Sequence, residues 1–290
     1  LSVEYRSNNS IRSCIWGNRR IQGEGTDCWI HQGGISGKNS IYCQEGCKGN
    51  KDISALVRFG FGKGNGKLKK IVYPRAGGVE TIQIVEAEDP SPERGEVCVR
   101  VHRAGVNFAE LMMRQGLYGS SPDYPFTPGY ETAGEVIGLG EGVDSLRKGD
   151  RVLAMTGFGG YAEKVCLDAR RAVKIPDSVS FDQAAAIPVT YGTSYHMLVH
   201  LGRIARGETV LIHHAAGGVG TAVAQICNAL GASLVIGTAA APKRDFVESL
   251  GMRFVEREEE DFVDVCKSMT GGKGVHHAID PVGGKHLLLS

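Results

Sequence analysis

Hydrophobic and polar positions change their rhythm twice along the chain. From Leu1 to about Gly66 they follow no sustained helical or alternating period; the stretch is rich in Gly, Asn, Ser and Arg, with leucine only at Leu1 and Leu56. From Lys69 short alternating runs begin. "KKIVYPRAGG" reads as a strand and a turn, and "GEVCVRVHRAGV" alternates as a half-buried strand does. "GYETAGEVIGLG" and "GDRVLAM" continue as short strands punctuated by glycine, so the region to about Ala172 is expected to be a barrel-like β sheet. Beyond "IPDSVSFDQAAAIPVTYGTSYHMLVH" the texture changes again. Strands "ETVLIHH", "ASLVIGT", "RFVE" and "VHHAID" alternate with helices "GGVGTAVAQICNALG", "PKRDFVESLG" and "DFVDVCKSMTG". That order predicts βαβ units on a parallel sheet. The expected organisation is an irregular extension over 1–66, a β domain over 67–190 and a nucleotide-binding α/β domain over 191–290.

Composition narrows the function classes. With 42% hydrophobic and 22% charged residues over 290 positions, the chain carries enough apolar material for two packed domains. A net charge of +1, with basic and acidic residues interleaved, gives no field for nucleic acid. No apolar run is long enough to span a membrane and no secretory signal pattern opens the chain, so a cytoplasmic location is expected. Of eight cysteines, Cys98, Cys166, Cys227 and Cys266 sit singly in apolar segments and read as buried thiols. The spacing Cys28-x2-His31 and Cys43-x3-Cys47 supplies zinc-type ligands but fits no standard finger. The first Met is Met112, so the native domain is expected to begin near Leu68.

The densest chemical signal is "IHHAAGGVGTA", Ile212–Ala222. In a dinucleotide fold the first strand feeds a tight turn, the cofactor pyrophosphate lies against the turn's backbone, and the next helix points its N-terminal N–H groups at the phosphates. Ala215, Ala216, Gly217, Gly218, Val219 and Gly220 match that fingerprint with alanine at its first position. Gly217 would allow close approach and Gly220 would let helix pack on strand. His213 and His214 read as structural residues at the strand end, since no carboxylate or nucleophile neighbours them. About twenty residues on, NAD-specific folds place an acid on the ribose. This chain has Gly237 and Thr238 there, followed by Lys243 and Arg244, which favours a 2′-phosphate and hence NADPH.

The series "AGVNFAELMMRQGLY", "PGYETAGEVIGLGEGV", "KGDRV", "GGYAE", "AAGGVGTAVAQ" and "DPVGG" resembles the zinc-free, zeta-crystallin-like quinone oxidoreductase branch of the medium-chain dehydrogenase/reductase superfamily, near the synaptic vesicle membrane protein homologues. The likeness covers Lys69 to about Gly284. It implies a GroES-like β domain followed by a Rossmann doubly wound parallel sheet, with NADPH in the cleft between them and a homodimer for the full-length form. Zinc alcohol dehydrogenases of the superfamily carry Cys in the "AGV" stretch and His in a "GHE" stretch; Asn107 and Tyr130 stand there here, so catalysis without zinc is implied. Without a metal, quinones and conjugated enones are the suited hydride acceptors. By the same resemblance Asn107 lies beside nicotinamide and substrate, Tyr118 borders the pocket as a hydrogen-bond donor, and Thr193, in "TSY" where the family commonly has "TAY", contacts the nicotinamide side. Each has a plainer alternative: a turn residue, a domain-edge packing residue and a helix-interior hydroxyl. Glu131 reads as structural.

About four strands of a six-strand dinucleotide sheet are placed before Ser290, so the α/β domain is expected to be C-terminally truncated and this chain not fully active. A rival function is an NADPH-binding protein without catalysis, acting at lipid surfaces or on a partner; fold alone does not separate the two.

Overall fold

The computed structural model describes residues 66–259, 261–284 and 288–290, together with the backbone of four short strands nearer the N-terminus. The Cys28–His31 and Cys43–Cys47 pairs lie outside the described residues, as does most of the 1–66 segment. The chain divides into two compact units, Leu1–Val189 and Thr190–Ser290. Among the described residues no helix is long and apolar enough to cross a membrane.

In the first unit, β1 (Val3–Ser7) and β2 (Ser10–Cys14) pair with each other. β3 (Ser40–Ile41) and β4 (Leu56–Arg58) join a larger antiparallel sheet. β5 (Lys67–Val72) and β6 (Gln83–Glu88) form a separate hairpin. The centre of the large sheet is β7 (Glu96–Gly105), long enough to take two partners along one edge. α1 (Phe108–Arg114) follows it, then β8 (Glu131–Leu139) on its other edge, β9 (Arg151–Met155), β10 (Lys164–Asp168) back on β7, and β11 (Ala172–Lys174). Val97, Val99, Val101, Val136, Val152 and Ala154 point into one core with Met113 and Phe126. The alternation expected of β7 is interrupted, because its register against β8 shifts between Cys98 and Val99 and again between Val101 and Arg103. Such bulges break a period of two while keeping the strand in the sheet. α2 (Phe181–Ala185) starts at Ser180, whose hydroxyl caps Gln183 N, and covers part of this sheet.

The second unit takes in most of α3 (Pro188–Tyr195) and then builds the expected βαβ series. β12 (Thr209–Ile212), α4 (Gly218–Leu230), β13 (Leu234–Ala239), α5 (Arg244–Ser249), β14 (Arg253–Glu256), α6 (Phe262–Met269) and β15 (His277–Ile279) follow in turn. All four strands are parallel in the order β14-β13-β12-β15. The order reverses beside β12, the switch point at which open α/β sheets bind ligands outside their carboxyl ends. Helices pack on both faces. α4 and α5 bury Val223, Ala224, Cys227 and Val247 with Val210, Ile212 and Val235; α6 places Phe262 and Cys266 against Leu211, Ile236 and Val255. α4 ends where Gly231 takes the left-handed conformation at φ 79°, the usual helix stop.

Candidate functional site

The glycine-rich turn sits at the carboxyl end of β12. Ile212 ends the strand, His213 is fully buried, and the exposed His214 adopts φ 55°, a left-handed turn that few non-glycine residues take. Ala215 N then donates to Thr238 O at 3.0 Å, tying the turn to β13. Gly217 caps α4, and the first intrahelical bond runs from Thr221 N to Gly217 O at 2.9 Å. The N–H groups of Gly218, Val219 and Gly220 therefore precede the ladder and point out of the helix start, an arrangement that attracts anions. A Cβ at Gly220 would lie 2.4 Å from Ala215 O, so glycine there lets helix approach turn. A Cβ at Gly217 would lie 2.5 Å from the His214 ring.

The expected cofactor-selecting residues are placed unevenly. Gly237 is enclosed: a Cβ would meet Ala215 Cβ at 2.7 Å and Met252 Sδ at 3.0 Å. Thr238 is buried and its hydroxyl lies 2.9 Å from His213 Nδ1. Lys243 is half-buried at the end of the short 3-10 turn Ala241–Lys243, and Arg244 stacks its guanidinium 4.2 Å above the Phe254 ring. Nothing acidic stands on β13, Leu234–Ala239. His213 is held by Thr238, by Ser290 Oγ at 3.1 Å and edge-on by Phe262 at 4.7 Å, a framework role.

Thr193 lies exposed on α3, while its neighbour Ser194 is fully buried and donates to Thr190 O and Val219 O, fastening α3 to the start of α4.

In the first unit Asn107 ends the β7 connection and caps α1. Its backbone N–H donates to Glu110 Oε2 at 2.6 Å, and its Nδ2 donates to Glu131 Oε1 at 2.9 Å. The other Glu131 oxygen accepts Val189 N at 2.8 Å. Glu131 thus bridges the Asn107 amide and the Val189 N–H and holds that amide in place. Room for it comes from Gly105, where a Cβ would lie 2.1 Å from Glu131 Oε1.

Glu110, which sequence reasoning did not single out, is fully buried. It accepts Tyr130 N on Oε1 at 2.8 Å, and its Oε2 lies 2.7 Å from Tyr161 Oη. Burial, partly offset by these hydrogen bonds, pushes the Glu110 carboxyl up to about 7; burial likewise lifts Glu131 to about 7. The capping-box spacing Asn107-x2-Glu110 was the local signal for this pair. Tyr118 is partly exposed beside Tyr130, whose phenol is pushed up to about 12 by burial first and by the Tyr118 hydroxyl second. Asn107 and Tyr130 do not offer the thiolate and imidazole of a catalytic zinc site. Among the described residues no group of three or more His, Cys, Asp and Glu is arranged to hold a metal ion.

A β unit followed by a parallel sheet with a glycine-rich first turn is the build of an alcohol-dehydrogenase-type oxidoreductase. Comparison with known families agrees: residues 93–177 match the alcohol dehydrogenase GroES-like domain and residues 218–290 match the family described as zinc-binding dehydrogenase. The synaptic vesicle membrane protein VAT-1 homolog of Rattus norvegicus is 38% identical over 75% of this chain and 54% of its own length. The rat quinone oxidoreductase is 35% identical over 73% of this chain and 65% of its own. The structure of the Escherichia coli quinone oxidoreductase complexed with NADPH superposes with a TM-score of 0.71 at 35% identity, covering 76% of this chain and 68% of that one. The chain belongs to the quinone oxidoreductase branch of the medium-chain dehydrogenase/reductase superfamily. It spans about half the length of the VAT-1 relatives.

Proposed function

We propose that this protein is an NADPH-dependent reductase that passes hydride to a quinone or a conjugated enone without zinc. The observation that carries the reading is the cradle at the carboxyl end of β12: a glycine turn, the outward N–H groups of Gly218, Val219 and Gly220, and a neighbouring β13 without a carboxylate. The cradle suits a pyrophosphate. Gly237 and Thr238 enter as positions where an NAD-type acid is missing, and Lys243 as the cation for the 2′-phosphate. The E. coli relative's complex with NADPH supports the assignment.

When bound, NADPH supplies the hydride. The chain's own share is orientation and electrostatics. Glu131 and the α1 cap fix the Asn107 amide, so that it presents a set of hydrogen-bonding atoms without reorganising. Thr193 is assigned to the nicotinamide side and Tyr118 to a hydrogen bond with the acceptor oxygen. The donor set at Asn107 and Tyr130 supports a reaction without a metal.

Fluorescence titration with NADPH and with NADH tests the cofactor assignment. Lys243→Ala is expected to weaken NADPH about tenfold, the scale of one charge-assisted phosphate contact, and to leave NADH unchanged. Equal weakening of both counts against Lys243 as the phosphate reader. Asn107→Ala is expected to lower kcat about 100-fold for a quinone or enone acceptor with little change in NADPH affinity, since the loss is one of positioning. Saturable NADPH binding by the full-length chain with no turnover of either acceptor class would instead make the protein a binder.

A further inference from the structure

Two of the four cysteines that the sequence scatters singly through apolar segments meet in the fold. Cys98 on β7 and Cys166 on β10 are direct antiparallel partners. In the same ladder Val101 N donates to Glu163 O, so the alternation of paired rings places Cys98 and Cys166 at a non-hydrogen-bonded position. At such positions opposed Cα atoms stand about 4.5 Å apart with their side chains on one face, inside the span a disulfide bridges. The two side chains are neighbours across the ladder, and Cys98 Sγ lies 3.9 Å from Pro90 O. On the other side of β7, Cys98 faces Gly138, where a Cβ would come within 3.3 Å of Cys98 Cβ; the glycine leaves that flank open. Both cysteines are free thiols in the structure, Cys98 buried and Cys166 half-buried.

We propose that Cys98 and Cys166 form a peroxide-oxidisable thiol pair that closes to a cross-strand disulfide between β7 and β10. The neighbouring Cys166 thiol, with Lys164 assisting and burial opposing, draws the Cys98 thiol below its ordinary range, while the Cys98 thiol and burial drive Cys166 well above it. Lys164 is itself ion-paired to Asp89, and Asp89 and Glu96 are the acidic neighbours that act against thiolate formation at Cys98.

The Cys98 thiolate therefore attacks one oxygen of hydrogen peroxide and the O–O bond breaks. The Cys166 thiol proton passes to the departing hydroxide as water, leaving a sulfenic acid on Cys98. The Cys166 thiolate then attacks the Cys98 sulfur, the S–S bond forms, and the S–O bond breaks. The expelled hydroxide takes up a proton from solvent. Two thiols lose two electrons and one peroxide becomes two waters. Cys227 and Cys266 serve as internal controls, because burial raises both thiols and among the described residues neither has a disulfide partner.

The test is peptide mapping of the native full chain after mild peroxide treatment, alkylation of remaining thiols and tryptic digestion without reductant. The expected product joins Gly95–Arg100 to Val165–Arg170, weighs two hydrogens less than the separate peptides, and is reversed by dithiothreitol, with Cys227 and Cys266 still alkylated. In Cys166→Ser the sulfenic acid is expected to persist on Cys98 and to be captured by dimedone. The proposal is overturned if Cys98 and Cys166 remain alkylated when peroxide has oxidised the methionines, or if either pairs with a different cysteine.

Discussion

Gly220→Val is expected to lower the stability of the second unit by about 3 kcal/mol, the upper end of ordinary overpacking, and to remove NADPH binding with it. A Cβ at this position would lie 2.4 Å from Ala215 O and 2.6 Å from Ala215 C and Cα. All three atoms are backbone, so none swings aside; α4 must lift from the turn. Lifting it parts Val223, Ala224 and Cys227 from β12 and β13, and moves the N–H groups of the cradle away from their common target. Gly217→Ala is the informative comparison. Its backbone, at φ −83°, suits alanine; the close obstruction is the exposed His214 ring, which can rotate, and His214 O at 3.2 Å needs to give only a few tenths of an ångström. Gly217→Ala should keep the wild-type urea midpoint and lose affinity for NADPH only. A wild-type midpoint for Gly220→Val would refute the close-packing role given to that glycine.

The contrast between the two glycines bears on what a sequence discloses. The glycine-rich turn between β12 and α4 was legible because its parts are contiguous: an apolar strand, closely spaced glycines and an amphipathic helix. The βαβ order was legible for the same reason, since each element carries its own period. The cluster around Asn107 was not. Glu131 reaches Asn107 across 24 positions and Tyr161 reaches Glu110 across 51, and only the antiparallel sheet brings them together. The seven-residue α1 is too short for a helical period to stand out, so its capping pair was the only local mark. The cysteines show the same limit from another side. Cys98 and Cys166 looked like isolated buried thiols, as Cys227 and Cys266 are, until the register of β7 against β10 set them face to face.

The buried carboxyls should make this protein gain stability as the solution is acidified from about pH 8 toward pH 5. Each rises from an ordinary 4.5 to about 7 in the folded state, with burial as the main cause. Between those values the folded chain holds protons that the unfolded chain has released, so stability falls as pH rises through the window. The full effect is about 3 kcal/mol for each carboxyl. Glu110 is the better adapted to carry its proton: its O–H can donate to Tyr161 Oη, whose own O–H then donates to Gly105 O at 3.1 Å. Both carboxyls have an N–H donor on each oxygen; what sets Glu110 apart is the Tyr161 hydroxyl beside its Oε2, which can accept its proton. Burial of His102 lowers its affinity for a proton and opposes the trend, since that group favours the fold at higher pH. Variants separate these contributions. Urea midpoints measured from pH 5 to pH 8.5 should fall steeply in the wild type and clearly less in Glu110→Gln, where a neutral amide replaces the carboxyl. Glu131→Gln should flatten the profile by a smaller amount. Parallel profiles for wild type and Glu110→Gln would mean that Glu110 is ionised throughout, and that its hydrogen bonds, not its burial, govern its charge.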